Sequence, residues 1–406
     1  MKKTESALAA LTSAAALLPI IALPVTSHAQ APASATESTA AAGSSALLPV
    51  GATMGLRVLY YRESGDRMKV TEPVLWLKTP VYDNWEVSLS GTLDIVSGAS
   101  PEIVSNRSGK PVQILSGASG PITDRRTAGE VAVKRKFGDN TLSISRSTST
   151  EDDYTSYAWG TNATFDFNER NTTLAVGYGK SNDRVGSTID PALNAARYTR
   201  DYLLGITQVI DRNTLIQSNL TRTMGSGYYN DPYRLTQSLI STGNGQSLNL
   251  FVDTRPASRA QWAWLTRFKR ALPEQRAVIT AEYRYFTDDW GIKAHTLFGS
   301  WLQTVTDTWK IEGGLRYYSQ RQADFYRAEI TALPAPAFFT SSDQRIASFG
   351  AFEPSVKVIM QLTDGLSLDC GVSVYRQQGS WKLGGGTPTF QPLQAVLLNV
   401  GVVHRF

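Results

Sequence analysis

The chain carries a repeated alternation of apolar and polar side chains, interrupted by short turn-forming clusters. Residues 85–95 have apolar side chains at odd positions and polar ones at even positions. A similar alternation occurs over residues 157–167, 366–374 and 397–406. Because successive side chains of a β-strand point to opposite faces, each stretch is predicted to be a strand with one apolar and one polar face.

The connections between these strands alternate between short and long. Short turn-forming clusters occupy residues 138–140, 168–171, 211–213, 273–275, 306–308 and 363–365. Longer connections cover residues 97–124, 181–197, 225–258, 321–343 and 379–392. An outer-membrane barrel has short turns at one rim and long loops at the other. A soluble sandwich also shows alternation, but it has no reason to sort its connections by length.

Counting strands between these connections gives about sixteen, an even number, as single-chain bacterial barrels require. In a bilayer no water pairs the backbone of an edge strand, so the sheet must close on itself. The sequence therefore predicts an all-β fold, a transmembrane antiparallel up-and-down β-barrel with short periplasmic turns and long extracellular loops. Pro73 weakens one predicted strand, and Pro354 is expected to shift the phase of another by a bulge.

The last strand predicts a lipid-facing row that ends on Phe406. Val396, Leu398, Val400 and Val402 occupy alternate positions before it. A terminal phenylalanine resembles the C-terminal signal by which the barrel-assembly machinery accepts its clients. We therefore interpret Phe406 as an assembly signal, the alternative being a soluble edge strand that ends in phenylalanine.

The first 29 residues have the features of a secretory signal peptide. Lys2 and Lys3 form a basic start, residues 7–25 are almost wholly apolar, and residues 27–29 supply a small-x-small cleavage pattern. The alternative is an uncleaved membrane anchor. We interpret residues 1–29 as a cleaved signal peptide, 30–50 as a flexible Ala/Ser-rich tail and 51–406 as a β-barrel domain in the lipid of the cell outer membrane.

Composition narrows the functional classes. The net charge of +5 comes without a basic stripe, so no nucleic-acid partner is expected. Cys370 is the only cysteine, which excludes an intramolecular disulfide and any paired-cysteine metal or haem motif. No cofactor is expected from this sequence.

Charged residues recur on the predicted polar faces of the strands. The lumen-facing candidates are Glu282, Arg284, Lys293, His295, Glu312, Arg316, Lys357 and Asp369. A barrel of this size encloses an aqueous channel, and charged walls decide which solutes pass. The alternative is that opposite charges, such as those of Glu282 and Arg284 with Glu312 and Arg316, pair and only brace the wall.

Two further constellations could carry chemistry. His295 is predicted to lie in the lumen, where a hydrolase would need a nucleophile and an orienting group beside it, but no serine stands in a nucleophile motif. A hydrogen-bonded lumen histidine is the alternative. Asp288, Asp289, Asp324 and Asp343 are predicted near the long-loop rim and could hold a hard cation, although their spacing matches no calcium loop. No metal site is predicted.

Several stretches resemble one uncharacterised Gram-negative outer-membrane β-barrel family, known as domain of unknown function 3570. They are DPYRL (231–235), RPASR (255–259), DDWGIKAHT (288–296), LRYYSQRQADFY (315–326) and SSDQRIASFGAF (341–352). The family-signature positions are Asp231, Pro232, Tyr233, Arg234, Asp288, Asp289, Trp290, Gly291, Asp324, Ser342, Asp343 and Arg345. The resemblance implies a barrel and association with an envelope redox system, with no established substrate.

The sequence as a whole favours a porin-like channel for small solutes. The alternative is a non-conducting membrane scaffold for a periplasmic or envelope redox system, with a periplasmic or lipoprotein partner in the lumen. An outer-membrane hydrolase that uses His295 is a weaker alternative, and we expect no enzymatic activity.

Overall fold

The computed structural model describes residues 48–98, 101–107, 110–115, 122–188, 190–233, 235–242, 245–328 and 338–406. The predicted signal peptide and most of the predicted tail lie outside these residues. The described part forms three short 3-10 turns and twenty strands, and none of its helices is both long and apolar enough to cross a membrane.

The strands are β1 (Thr53–Glu63), β2 (Met68–Tyr82), β3 (Trp85–Gly98), β4 (Pro101–Arg107), β5 (Lys110–Leu115), β6 (Ile122–Phe137), β7 (Asn140–Thr150), β8 (Tyr154–Phe167), β9 (Thr172–Val185), β10 (Ala195–Asp211), β11 (Thr214–Gly227), β12 (Leu235–Thr242), β13 (Gly245–Val252), β14 (Ser258–Leu272), β15 (Ala277–Asp288), β16 (Lys293–Thr304), β17 (Trp309–Arg321), β18 (Phe349–Gln361), β19 (Leu366–Gln378) and β20 (Leu393–Arg405).

Sixteen of these strands form one closed antiparallel barrel, which confirms the predicted fold class and strand number. Each barrel strand pairs with the next one along the chain that belongs to the barrel, and β20 returns to pair with β1. Beyond the end of β20, the Phe406 N–H still donates to the Ala52 carbonyl at 2.9 Å, and Gly51 donates to the Phe406 carbonyl. The remaining four strands form two separate hairpins, β4–β5 and β12–β13.

All connections at one rim are short, and most of those at the other rim are long. The β2–β3, β6–β7, β8–β9, β10–β11, β14–β15, β16–β17 and β18–β19 turns are short and lie at one rim, together with the barrel ends of β1 and β20. Several of their residues have positive φ, including Asn84, Gly138, Asn168 and Arg276, as tight reversals require. The opposite rim carries five longer loops, which include both hairpins, and three short connections at residues 64–67, 151–153 and 289–292. The two rims are therefore structurally distinct.

The prediction of a bulge at Pro354 is wrong. Phe352 pairs with Arg376 and Ser355 pairs with Ser373, so the β18–β19 register is the same on both sides of the proline. Pro354 lies opposite Leu315 of β17 without a change of phase. A proline removes only one ladder donor, and here the loss is absorbed without inserting a residue.

The two faces of the barrel differ in chemistry. Leu75, Ile144, Leu204, Leu297 and Leu315 point outward and are between 51% and 57% exposed, which water would disfavour and a lipid environment accommodates. Val396, Leu398 and Val400 of the last strand lie on the same outer face and are exposed. The inward face is rich in charged and hydroxyl side chains, so the functional chemistry is to be found in the lumen and at the long-loop rim.

Candidate functional site

Most charged side chains of the lumen wall form ion pairs between neighbouring strands. Arg267 of β14 pairs with Glu282 of β15 at 2.6 Å, and Arg316 of β17 pairs with Glu353 of β18 at 2.6 Å. The other pairs between neighbouring strands in the lumen are Lys357–Asp369, Arg126–Asp94, Lys134–Glu86, Arg197–Asp183 and Arg259–Asp288. Arg57 of β1 also pairs with Asp369 of β19, across Gly401 of the intervening β20. These pairs hold adjacent strands together and neutralise one another.

Six of the eight lumen-facing candidates lie on the inward face: Glu282, Arg284, Glu312, Arg316, Lys357 and Asp369. The pairing of Glu282 and Arg284 with Glu312 and Arg316 is not observed. Glu282 instead bonds to Arg267, and Arg316 bonds to Glu353. Glu312 stands directly opposite Lys357 on the neighbouring strand.

The assignment of Lys293 and His295 to the lumen is wrong. His295 pairs with Tyr285 across β15 and β16, in the same phase as the exposed Leu297 and Trp301. The outward positions of β16 are polar at both ends of the strand and apolar in the middle, so the sequence suggested a polar face. Positions near the membrane interface tolerate Lys, His and Gln beside aromatic rings. Both residues therefore lie on the outer face near the long-loop rim.

The contacts of His295 are aromatic. The Tyr283 hydroxyl lies 2.8 Å from Nδ1 of His295. The imidazole ring of His295 also packs against the ring of Tyr285 at a centroid distance of 5.2 Å. Among the described residues no serine or carboxylate hydrogen-bonds to this imidazole. The geometry needed for an activated nucleophile is therefore not assembled around His295.

Several lumen charges, among them Glu130 and Arg284, lack a countercharge on the strands beside them. Glu130 of β6 is exposed and stands between Ser90 of β3 and Ser147 of β7. Arg284 of β15 stands between Leu265 and Thr296, and its Nη1 has no hydrogen-bond partner among the described residues.

These two charges face each other across the lumen. In the ring of sixteen strands, β6 and β15 are seven places apart, so they stand on nearly opposite walls. Glu130 lies seven residues from the short-turn end of β6, and Arg284 lies seven residues from the short-turn end of β15. The unpaired acid and the unpaired base are thus placed to set up a field across the lumen at similar depth. Glu130 is not among the lumen-facing residues predicted from the sequence, because the two serines opposite it are identified only by the strand register.

A buried apolar cluster, which we call the mouth core, lies against the inner wall at the long-loop rim. Its members are Trp290, Ile292, Ala294, Tyr318, Ala323, Phe325, Tyr326, Ile346, Ala347, Phe349, Ala351 and Phe390. Ala294, Tyr318, Phe349 and Ala351 are inward positions of β16, β17 and β18, whereas the rest belong to the loops that follow β15, β17 and β19. These loops therefore fold inward against the inner wall.

A network of five charged residues, which we call the loop clamp, ties two of the long loops together. Arg345 bonds to Asp231 at 2.7 Å and to Asp343 at 2.6 Å. Arg255 bonds to Asp343 at 2.9 Å and to Asp253 at 2.6 Å. The bridge between Thr254 and Thr340 adds backbone hydrogen bonds in both directions. The loop after β11 is thereby fixed to the loop after β17.

The loop clamp is desolvated. Asp253 and Asp343 are 0% and 1% exposed at their side chains, so each depends on its arginine partners for compensation. Burial raises the pKa of Asp253, and Arg255 beside it opposes that rise. Burial disfavours the charge of Arg345, but the carboxylates of Asp343 and Asp231 outweigh it and raise its pKa.

A second group of signature residues fixes the tight loop after β15. Trp290 packs against Phe325, lies 4.3 Å from the Arg259 guanidinium, and donates to the Ser258 carbonyl. Gly291 has φ +84°, and a Cβ there would collide with the carboxylate of Asp324. Asp324 donates its backbone N–H to the Trp290 carbonyl and accepts from Arg321, so it joins the loops after β15 and β17.

The remaining signature positions differ in what the structure shows of them. The Tyr233 hydroxyl donates to the Asp153 carboxylate and accepts from the Thr188 N–H, which links three loops of the same rim. Pro232 lies beside Tyr233 in the loop after β11, Ser342 lies in the loop after β17, and the exposed Asp289 lies in the loop after β15. Arg234 lies outside the described residues.

The four aspartates considered for a cation do not form one site. Arginines engage Asp288, Asp324 and Asp343 separately. Across the described ranges, no group of three or more His, Cys, Asp or Glu residues is arranged to hold a metal ion. The signature aspartates therefore act in loop packing, where arginine supplies the positive charge.

An acidic residue is buried at the same rim. Glu151 lies in the short loop between β7 and β8, its side-chain Oε1 has no hydrogen-bond partner among the described residues, and its N–H donates to the Tyr154 carbonyl. Burial, together with the nearby charge of Asp124, raises the pKa of Glu151 to about 8. This carboxyl is therefore largely protonated at neutral pH.

The fold and the charged lumen define a sixteen-stranded transmembrane β-barrel whose long-loop rim carries loops packed against the inner wall. The chain belongs to the family described as "Protein of unknown function (DUF3570)", whose model matches residues 8–393. No curated protein matches the chain.

Solved outer-membrane proteins resemble the barrel at low identity. A bacterial polysaccharide outer membrane secretin is 7% identical, with 87% of this chain and 98% of that chain covered at a TM-score of 0.48. The CymD monoaromatic hydrocarbon channel is 8% identical, with 89% and 90% covered at 0.43. The Pseudomonas putida toluene transporter TodX is 10% identical, with 89% and 91% covered at 0.39. Likeness at this level carries no argument about function.

Proposed function

We propose that the protein is a porin-like channel of the outer membrane that passes small polar solutes through a narrowed mouth. The observation that carries this proposal is the unpaired Glu130 and Arg284, which face each other in a lumen whose other charges are mostly paired. Charges on the wall of a water-filled lumen act on passing ions, and the exposed carboxylate of Glu130 is placed to do so.

The orientation follows from the two rims. Short turns face the periplasm and long loops face the exterior in outer-membrane barrels. The mouth core and the loop clamp then close the exterior end. Delivery by the predicted cleaved signal peptide and insertion by the barrel-assembly machinery through Phe406 complete the proposal, and N-terminal sequencing of the mature protein would test the cleavage.

Conductance is the direct test of the channel. Wild-type protein is reconstituted into planar bilayers and compared with Asp343→Asn, which removes the central charge of the loop clamp. We expect discrete conductance steps for the wild type and larger or more frequently open steps for the variant. Asp307→Asn is the matched control, because its partner Arg276 forms an exposed pair at the short-turn rim. If both the wild type and Asp343→Asn stay silent while folded, the channel is refuted.

The second candidate is a non-conducting scaffold for a periplasmic or envelope redox system, and the mouth core favours it. A loop assembly that buries aromatic residues inside the barrel resembles a built-in plug more than an open entrance. Crosslinking in intact cells, followed by isolation of the barrel, would then recover a stoichiometric periplasmic or lipoprotein partner. Silent bilayers together with such a partner support the scaffold, whereas conductance without a partner supports the channel.

A further inference from the structure

The outward-facing charges of β7 to β11 are all positive. Arg146, Lys180, Arg200 and Arg222 occupy outward positions, in register with exposed apolar residues such as Ile144, Leu204 and Leu220. The carboxylates on these strands, including Asp183 and Asp201, belong to the inward phase, apart from Asp211 at the turn. The outer wall therefore presents positive charge that no acid on the same face can neutralise.

These cations are close neighbours. Lys180 of β9 stands directly opposite Arg200 of β10, so their Cβ atoms are about 5 Å apart, a spacing at which like charges repel. Arg146 of β7 lies in the same cross-strand row, separated from Lys180 only by Trp159 of β8. Arg222 of β11 stands opposite Tyr202 of β10, which is the next outward residue after Arg200. Among the described residues none of these four cations has an ion pair.

Aromatic rings separate the cations and mark their depth. Trp159 packs edge-on against Tyr178 at 5.2 Å, and Tyr178 packs against Tyr202 at 5.3 Å. Arg222 lies 4.7 Å from the ring of Trp262. Tyr and Trp in this arrangement favour the boundary between hydrocarbon and headgroups.

The position along the strands agrees with this depth. Lys180 and Arg222 are the ninth residues of β9 and β11 counted from the short-turn ends. A strand crosses the hydrocarbon in about 9–11 residues, so both cations emerge at the headgroup level of the long-loop side. Leu174 and Val176 lie below Lys180 on the same face, and Asn182 and Arg184 lie above it.

We propose that Arg146, Lys180, Arg200 and Arg222 form a binding surface for the phosphate groups of an anionic lipid in the leaflet on the long-loop side. Phosphate oxygens supply the negative charge that the opposed Lys180 and Arg200 require, and arginine forks suit phosphate geometry. The aromatic rings pack against the sugar or acyl portion just below the phosphates. This surface is independent of whether the lumen conducts.

The test measures the unfolding midpoint of the reconstituted barrel in two kinds of vesicle. One contains only phosphatidylcholine, and the other contains phosphatidylcholine with diphosphoryl lipid A. We expect lipid A to raise the midpoint of the wild type and to have little effect on Lys180→Gln/Arg200→Gln. In phosphatidylcholine alone the double variant should be at least as stable as the wild type, because a like-charge repulsion has been removed.

Controls separate this proposal from non-specific attraction. Arg135→Gln removes an outward cation at the short-turn end of β6 and should keep the full response to lipid A. Arg146→Gln, a single change at the edge of the surface, serves if the double variant fails to fold, and it should show a reduced response. An equal response of wild type and variants overturns the proposal. So does an equal rise when inorganic phosphate replaces lipid A, because the ligand would then be a free anion.

Discussion

Asp343 is the residue on which the closed mouth depends most directly. Its carboxylate accepts from Arg255 Nη2 at 2.9 Å and from Arg345 Nε at 2.8 Å, and it also accepts the Arg345 backbone N–H at 2.9 Å. Asp343→Asn keeps the shape of the side chain but removes the negative charge that both arginines share. Arg255 then retains Asp253, and Arg345 retains Asp231.

The size of the effect follows from burial. Removing one partner from a buried charge network costs about 3–5 kcal/mol, and we take about 3 kcal/mol here because both arginines keep a second carboxylate. Since about 1.4 kcal/mol is a factor of ten, the population with detached loops should rise about 100-fold. This loss is confined to the loop contacts, so the barrel strands should stay paired.

Hydrogen exchange in lipid nanodiscs measures this population. The N–H groups of Ala323, Asp324 and Tyr326 are bonded within the loop assembly, to the carbonyls of Ile346, Trp290 and Ala323 respectively. In Asp343→Asn these amides should exchange about 100-fold faster, while strand amides remain as in the wild type. Asp307→Asn should leave all of them unchanged. Unaltered exchange of the three loop amides in Asp343→Asn would refute the view that this network holds the mouth closed.

Three further predictions concern the lumen, pH and one glycine. Glu130→Gln should shift the reversal potential in a salt gradient towards anion selectivity and Arg284→Gln towards cation selectivity; identical potentials would contradict their role. The folded pKa of Glu151 lies above its ordinary 4.5, so the native state holds the extra proton and stability falls as pH rises from about 4.5 to about 8. Glu151→Gln should remove that slope from urea-unfolding midpoints measured across this range, and an unchanged slope would contradict the assignment. Gly291→Ala should lower the free energy of unfolding by about 1–3 kcal/mol through its positive φ and the clash with Asp324, whereas Gly299→Ala, where a Cβ meets open space, should not.

The barrel could be predicted from the sequence because its determinants are local. Alternation of side chains and the length of each connection are read within a few residues, and they correctly gave the closed sheet and its two unlike rims. The same pattern predicted the wrong face of the barrel for His295, because its neighbours at the end of the strand are polar. It also failed for Pro354, since polarity alone does not reveal whether a proline shifts the register.

The mouth could not be derived from spacing, because its contacts join distant parts of the chain. Arg345 and Asp231 are 114 residues apart. The family resemblance singled out both residues without indicating that they bond. Glu130 was not predicted for a related reason. Whether its charge has a partner depends on the residues beside it on neighbouring strands, and the sequence alone does not give the register of those strands.

That long separation has a consequence for the order in which the molecule matures. Asp231 follows β11 and Arg345 precedes β18, so β14 to β17 must take their places before the two side chains can meet. Attachment of these two loops to each other therefore follows the placement of β14 to β17. The bond between these two residues thus requires that six consecutive barrel strands, β11 and β14 to β18, are in place.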